Sequence, residues 1–220
     1  MTSAASPSPS PSPFPDSSLL DLAPVIPVVV HEHATEAVPL ARALVAGGLP
    51  AIEVTLRTAA APEAIRAIAA EVPEAVVGAG TVLTPEQAGS AVAAGAQFLV
   101  SPGWTDRLLD AMRATGVPCL PGVSTTSEVV ALLERGVTEM KFFPAEAAGG
   151  TAYLKSLASP LPQARFCPTG GIDEARAAGY LALPNVGCVG GTWMLPGEAL
   201  AAKDFSRVQR LAEGAAALHG

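Results

Sequence analysis

The sequence predicts an α/β protein, specifically a (β/α)8 TIM barrel, from three observations. Short β-branched runs alternate with Ala/Leu-rich segments of helical spacing, the alternation repeats eight times, and the helical segments carry their own start and stop signals. The runs are 25–30, 51–56, 75–79, 97–101, 117–120, 139–143, 165–168 and 186–189. They recur roughly every 20–25 residues, the length of a strand, a loop, a helix and a second loop. A doubly wound open sheet is the alternative arrangement of the same elements. With 220 residues, the chain is long enough to bury the core of one such domain.

In chain order, residues 1–16 are Ser/Pro-rich around SPSPSPSP and hold too little apolar area to fold alone, so they are expected to form a disordered tail ahead of a barrel domain at 17–220. The tail lacks the basic start and apolar centre of a secretory signal, which makes a cytoplasmic location the expectation. A short helical piece at 17–22 is expected to cover one end of the domain. Pro39 falls early in the first helix, where a missing N–H is tolerated. Thr84-Pro85-Glu86-Gln87 reads as a threonine cap, a proline at the first helical position and a glutamine reaching back; Thr125-Thr126-Ser127-Glu128 reads as a second capping box. Gly48, Gly95, Gly116 and Gly136 stand where helices end in left-handed caps before the next strand.

Composition excludes several function classes. A net charge of −7 argues against a nucleic-acid surface. No run of about twenty apolar residues is present, so no membrane span is expected. Cys119, Cys167 and Cys188 are far apart, each in a short apolar run, and read as small core residues rather than as metal ligands. His31 and His33 follow the first run without a third placed ligand and read as solvated loop residues; His219, next to the C-terminus, is uninformative. Neither a metal site nor a dinucleotide fingerprint is found, and no cofactor is expected.

In a barrel the chemistry collects where strands run out into the following helices. The second run delivers Glu53, Thr55 and Arg57 to one face by period-two alternation. The third ends in Gly78-Ala79-Gly80-Thr81, the fourth in Ser101-Pro102-Gly103 and the fifth in Pro121-Gly122. The sixth, Glu139-Met140-Lys141-Phe142-Phe143, sets a lysine inside an otherwise apolar strand. Such a lysine either snorkels from an edge strand or is a desolvated amine, nucleophilic toward carbonyls. The last two runs end in Thr169-Gly170-Gly171 and Gly190-Gly191-Thr192, glycine pairs at the usual phosphate position of barrels. Lys141, Glu53 and Arg57 together make a sensible set: an amine for a ketone, a carboxylate to move protons, and a guanidinium for a substrate carboxylate. A salt bridge between strand ends is the simpler structural reading of Glu53 and Arg57.

The motifs GGLPAIEVTLRT, VGAGTVLTPEQ, AGAQFLVSPG, LPGVSTTSE, KFFPAEAAGG, RFCPTGGI and VGGTWM closely resemble, in the same order, those of the 2-keto-3-deoxy-6-phosphogluconate (KDPG) / 4-hydroxy-2-oxoglutarate aldolases. The resemblance runs from about Leu20 onward. It implies a class I aldolase on a (β/α)8 barrel, a homotrimer that cleaves KDPG to pyruvate and glyceraldehyde 3-phosphate in the Entner–Doudoroff pathway. By motif, Lys141 resembles the Schiff-base lysine and Glu53 the acid/base that serves it through a water. Arg57 and Thr81 resemble the residues around the pyruvyl carboxylate, Pro102 and Phe143 the apolar walls, and Thr169 another lining residue. Gly170, Gly171, Gly191 and Thr192 resemble the phosphate site, with Thr192 adding a methyl group where the family pattern has serine. The implied partner is a small keto-acid phosphate substrate. Aldolases preferring 4-hydroxy-2-oxoglutarate or the galactonate-derived epimer, a phosphate-binding isomerase, and a non-catalytic sugar-phosphate binder are the competing readings.

Overall fold

A strand followed by a helix that crosses back over the sheet returns the next strand parallel to the last, and within β1 to β5 and within β6 to β8 consecutive strands pair in that way. The computed structural model describes residues 18–218. Its strands are β1 (Val25–Val29), β2 (Ala51–Thr55), β3 (Val76–Gly80), β4 (Leu99–Val100), β5 (Cys119–Leu120), β6 (Gly122–Val123), β7 (Glu139–Phe142), β8 (Arg165–Pro168) and β9 (Val189–Gly191). They form a six-stranded sheet in the order β5-β4-β3-β2-β1-β9 and a three-stranded sheet in the order β6-β7-β8. All pairings are parallel. The result is an α/β fold with a parallel, curled sheet. In the larger sheet β1 to β5 lie side by side in chain order and β9 pairs with β1, so the reversal of strand order that marks a doubly wound sheet is missing there.

The helices between them are α1 (Ala37–Ala46), α2 (Ala61–Glu71), α3 (Pro85–Ala93), α4 (Asp106–Ala114), α5 (Thr126–Glu134), α6 (Gly150–Leu157), α7 (Glu174–Leu181), α8 (Gly197–Ala201) and α9 (Phe205–Ala216). Both expected capping boxes form: Thr84 accepts from the Gln87 N–H and Gln87 returns the bond, and Thr125 and Glu128 do the same. Gly48, Gly95, Gly116 and Gly136 all have positive φ, which ends the preceding helix.

Two expectations are corrected. The fifth run, expected as one strand over 117–120, is observed as β5 and β6 on either side of Pro121, which has no N–H for a ladder but whose carbonyl accepts from Lys141 N–H at 3.0 Å. The eighth, expected at 186–189, starts at Val189. Residues 185–187 instead follow β8, through Phe166 N–H to Asn185 O (2.8 Å) and Gly187 N–H to Phe166 O (3.1 Å), before the chain turns to pair with β1. Bridges Phe166↔Val186 and Thr169↔Gly190 link the two sheets along this segment.

Alternation along the strands sorts side chains into two cores. Ile52, Val54, Val77, Leu99, Met140, Phe142, Phe166 and Val189 pack toward the helices. Ala51, Ile26, Phe98, Val100, Leu120, Cys167 and Cys188 pack inside the curl of the sheet. The inner core is closed at the strand N-terminal end by a 3-10 turn, Leu19–Asp21, within the helical piece expected at 17–22. Leu19 and Leu20 are buried there, each contributing roughly 1.5–3 kcal/mol. Ser18 caps the turn by accepting from Leu20 N–H at 3.0 Å, and Arg165 ties it down through Asp21 (2.6 Å) and Glu139 (3.1 Å). The expected tail at 1–16, Ser17 and His219 lie outside the described residues.

Candidate active site

Glu53 is the middle residue of β2 and faces inward between Ala51 and Thr55. Lys141 is the third residue of β7 and also faces inward, since Met140 and Phe142 on either side pack in the outer core. The sheet curl brings the two together: Lys141 Nζ donates to Glu53 Oε1 at 3.2 Å. Their side chains are 7% and 4% exposed. Burial of either charge alone would cost several kcal/mol, so each requires the other. The lysine therefore neither lies on an edge nor snorkels, and its amine is in direct hydrogen-bond contact with the carboxylate.

Three glycines leave room for close packing around this pair, one of them against the pair itself. A Cβ on Gly80 would lie 2.1 Å from Glu53 Oε1, so only glycine at the end of β3 leaves room for the carboxylate. Gly122 pairs with Lys141 and abuts Pro102, whose carbonyl oxygen would be 2.3 Å from a Cβ there. Gly190 faces Thr169, leaving 2.2 Å between a Cβ and Thr169 Oγ1. In the sequence Gly80 and Gly122 stand out only as strand ends and Gly190 only as part of a phosphate-type glycine pair; the space each leaves for a neighbouring side chain or backbone is a finding of the structure. The signal that would have found Gly80 is period two: it shares the inner face of β3 with Gly78, which pairs with Glu53 on the same face of the sheet.

The other expected residues surround the pair to different degrees. Phe143 places its ring centroid 5.4 Å from Lys141 Nζ. Thr169 is buried just past β8, alongside Phe143 just past β7. Thr81 follows Gly80 with φ 57°, a left-handed conformation that costs a β-branched residue about 1–3 kcal/mol. Hydrogen bonds on both sides hold it there, from Leu56 N–H to Gly80 O (2.8 Å) and from Val82 N–H to Val100 O (3.1 Å). Pro102 is half-buried at the end of β4. Gly170 and Gly171 have φ of 104° and 78°, forming a tight loop before α7. Gly191 is buried against the Trp193 ring, and Thr192 is exposed. Arg57 departs from its expected place: β2 ends at Thr55, and Arg57 lies in the turn beyond it, exposed and without a hydrogen bond or ion pair among the described residues. Thr55 is occupied by its own bond to Val29 O at 3.0 Å.

His31 is buried, contrary to the expectation of a solvated loop residue, and burial lowers its pKa while the nearby Glu36 opposes the shift. His33 is exposed. Among the described residues no group of three His, Cys, Asp or Glu is placed to hold a metal ion. The three cysteines are free thiols. Cys188 shares a hydrogen bond with Cys167 and is fully buried, which together hold its thiol well above the usual range. An inward amine and carboxylate in contact, beneath a ring of strand-end loops, can form and break a covalent carbon–nitrogen bond while a proton moves between them.

Comparison with known proteins converges on one family. Residues 17–211 match the family model described as KDPG and KHG aldolase. The chain is 53% identical over 198 residues to the KHG/KDPG aldolase of Escherichia coli K12, covering 90% of this chain and 93% of that protein. It is 51% identical over 199 residues to the 2-dehydro-3-deoxy-phosphogluconate aldolase of Dickeya dadantii, with 90% and 93% covered. In structure it is similar to a KDPG aldolase from Legionella pneumophila, captured with pyruvate as a covalent carbinolamine intermediate, with a TM-score of 0.87, 45% identity, and 90% and 96% of the two chains covered. No helix among the described residues is long and apolar enough to cross a membrane.

Proposed function

The chain belongs to the KDPG and KHG aldolase family, and from that premise we propose how its own residues carry the reaction. It is a class I aldolase, a carbon–carbon lyase that cleaves KDPG to pyruvate and glyceraldehyde 3-phosphate and acts also on 4-hydroxy-2-oxoglutarate. The observation that carries the assignment is the buried contact of 3.2 Å between Lys141 and Glu53. An isomerase on the same fold would need no lysine nucleophile at position 141, and a simple sugar-phosphate binder would need no buried acid–base pair.

Glu53 takes a proton from the Lys141 ammonium, and the neutral amine attacks C2 of the keto acid. The proton held by Glu53 leaves with the carbinolamine hydroxyl as water, which gives an iminium and returns Glu53 to its carboxylate. Glu53 then removes the C4 hydroxyl proton, the C3–C4 bond breaks, and its electron pair flows into the iminium to give an enamine. Glyceraldehyde 3-phosphate departs. Protonation of C3 by Glu53 restores the iminium, and its hydrolysis by water releases pyruvate and returns Lys141 as its ammonium.

In this reading Arg57, exposed and uncommitted, closes with Thr81 on the pyruvyl carboxylate, where a guanidinium binds bidentately. Pro102 and Phe143 wall the reacting carbons, and Thr169 lines the site between Lys141 and the last two loops. Gly170, Gly171, Gly191 and Thr192 hold the phosphate through backbone N–H groups and the Thr192 hydroxyl. Borohydride reduction in the presence of labelled pyruvate tests the assignment: the label appears on Lys141, and label persisting in Lys141→Ala refutes it. Pyruvate release from KDPG, followed in a coupled assay, reports turnover.

We further propose that the strands close into a (β/α)8 barrel. The pairing of the first strand with the last, the bridges from β8 to β9, and the single residue between β5 and β6 support it. The division into a tail at 1–16 and a catalytic domain from 17 onward is supported by the family match beginning at residue 17. A cytoplasmic homotrimer completes the proposal; light scattering tests the assembly.

A further inference from the structure

One side chain joins the loop after β7 to the loop after β8, and it belongs neither to the acid–base pair nor to the glycine cradle. The Glu146 N–H donates to Gly170 O at 3.1 Å, beside Ala145 N–H to Thr169 O at 2.8 Å. The side chain then runs along Gly171 so closely that a Cβ there would lie 2.8 Å from Glu146 Cγ. Its carboxylate accepts from the Tyr180 hydroxyl, and Oε2 lies 3.5 Å from Arg176 Nε. Tyr180 is buried on the inner face of α7, and burial together with Glu146 holds its hydroxyl protonated far above the usual phenol range. Arg176 is also paired with Asp173, which caps α7. Gly150, at the start of α6, faces the same Tyr180 hydroxyl.

The Thr169–Gly171 turn is thus clamped between one carboxylate and one helix. Arg176, the first arginine or lysine after that turn in sequence, is shared between Asp173 and Glu146. Holding a phosphate there falls to backbone N–H groups, whose direction depends entirely on the geometry of the turn. A carboxylate beside an anion site is electrostatically unfavourable, so its place there calls for a positional reason.

We propose that Glu146 is a positioning residue: through Tyr180 and Arg176 it fixes the Gly170–Gly171 turn, and so sets the affinity for a phosphorylated substrate without acting at the reacting carbons. This rests on the aldolase reading above.

The test compares the full chain with Glu146→Ala, Glu146→Gln and Tyr180→Phe. KDPG turnover reads the phosphate end, and borohydride trapping with pyruvate, which carries no phosphate, reads Lys141. Glu146→Ala is expected to raise KM for KDPG about tenfold or more, the scale of a lost hydrogen bond to a charged group, with kcat within about threefold. The pyruvate concentration for half-maximal trapping stays within about twofold. Glu146→Gln, whose amide oxygen still accepts from Tyr180, recovers most of the KM. An unchanged KM, or equal losses in KDPG binding and pyruvate trapping, overturns the proposal. Should Glu146→Ala fail to fold, Tyr180→Phe decides, since it removes a single hydroxyl: KM raised about threefold supports the clamp, and an unchanged KM refutes it. Absence of trapping in the wild-type chain overturns the aldolase reading and this proposal together, whereas trapping without the KM difference overturns this one alone.

Discussion

The two ends of the curled sheet each carry an ion pair, and the two are built to different ends. Toward the strand C-terminal end, Lys141 and Glu53 are almost fully buried and face each other across the interior of the curl. At the other end, Arg165 pairs with Asp21 and Glu139 while its side chain remains 38% exposed. The exposed network is screened by water and fastens a turn to the sheet; the buried pair is costly to hold and supplies reactivity. Burial, more than the identity of the charges, separates a fastening from a catalytic pair.

The largest expected effect comes from breaking the buried pair. Lys141→Ala should lower KDPG turnover by about 10⁴-fold or more and abolish borohydride trapping. Glu53→Gln should lower turnover by about 10²–10⁴-fold while leaving Lys141 in place. A smaller effect follows from moving the pair without removing it. Gly80→Ala should displace the Glu53 carboxylate and cost about 10–100-fold in kcat, read by steady-state kinetics, with the fold retained by circular dichroism.

At the opposite end the expectation inverts. Arg165→Ala should leave kcat/KM within about twofold and lower unfolding free energy by about 1 kcal/mol in urea titrations, because its partners are half-exposed. A loss of activity as large as that of Gly80→Ala would show that the two ends are coupled.

The smallest effect is a pH dependence at the catalytic end. The unfolded chain protonates His31 near pH 6.5, whereas burial keeps the folded imidazole neutral to lower pH. The unfolded state therefore binds more protons below that value, and stability falls as pH drops through it and is fully present above. His31→Gln should show a smaller decrease in Tm between pH 7.5 and pH 5.5 than the wild type, measured by calorimetry.

Much of this was legible in the residues. Thr84 and Thr125 announced helix starts because a capping box is satisfied within four residues, and the glycines after helices announced their ends for the same local reason. Lys141 stood out because a strand excludes charge, and Gly170 and Gly171 stood out as a pair whose positive φ the tight loop before α7 requires. Less visible were features set by neighbours far away in sequence. Pro121 splits a strand because of which groups its partners on either side require, and the last strand begins three residues late because its partner changes from β8 to β1. Arg57 obeyed strand alternation on paper, yet the strand stops at Thr55 and the residue lies out in the turn.

By itself, then, the sequence determined the parallel α/β order, the helix limits, the family and the candidate lysine, since each rests on spacing or on side-chain chemistry within a few residues. Only the tertiary structure decided that Glu53 meets Lys141 directly, 88 residues away, that Gly80 is the space in which that carboxylate fits, and that Glu146 reaches from one loop to grip the next. Those are contacts between elements, fixed by how the sheet curls, and no local pattern along the chain encodes a distance across it.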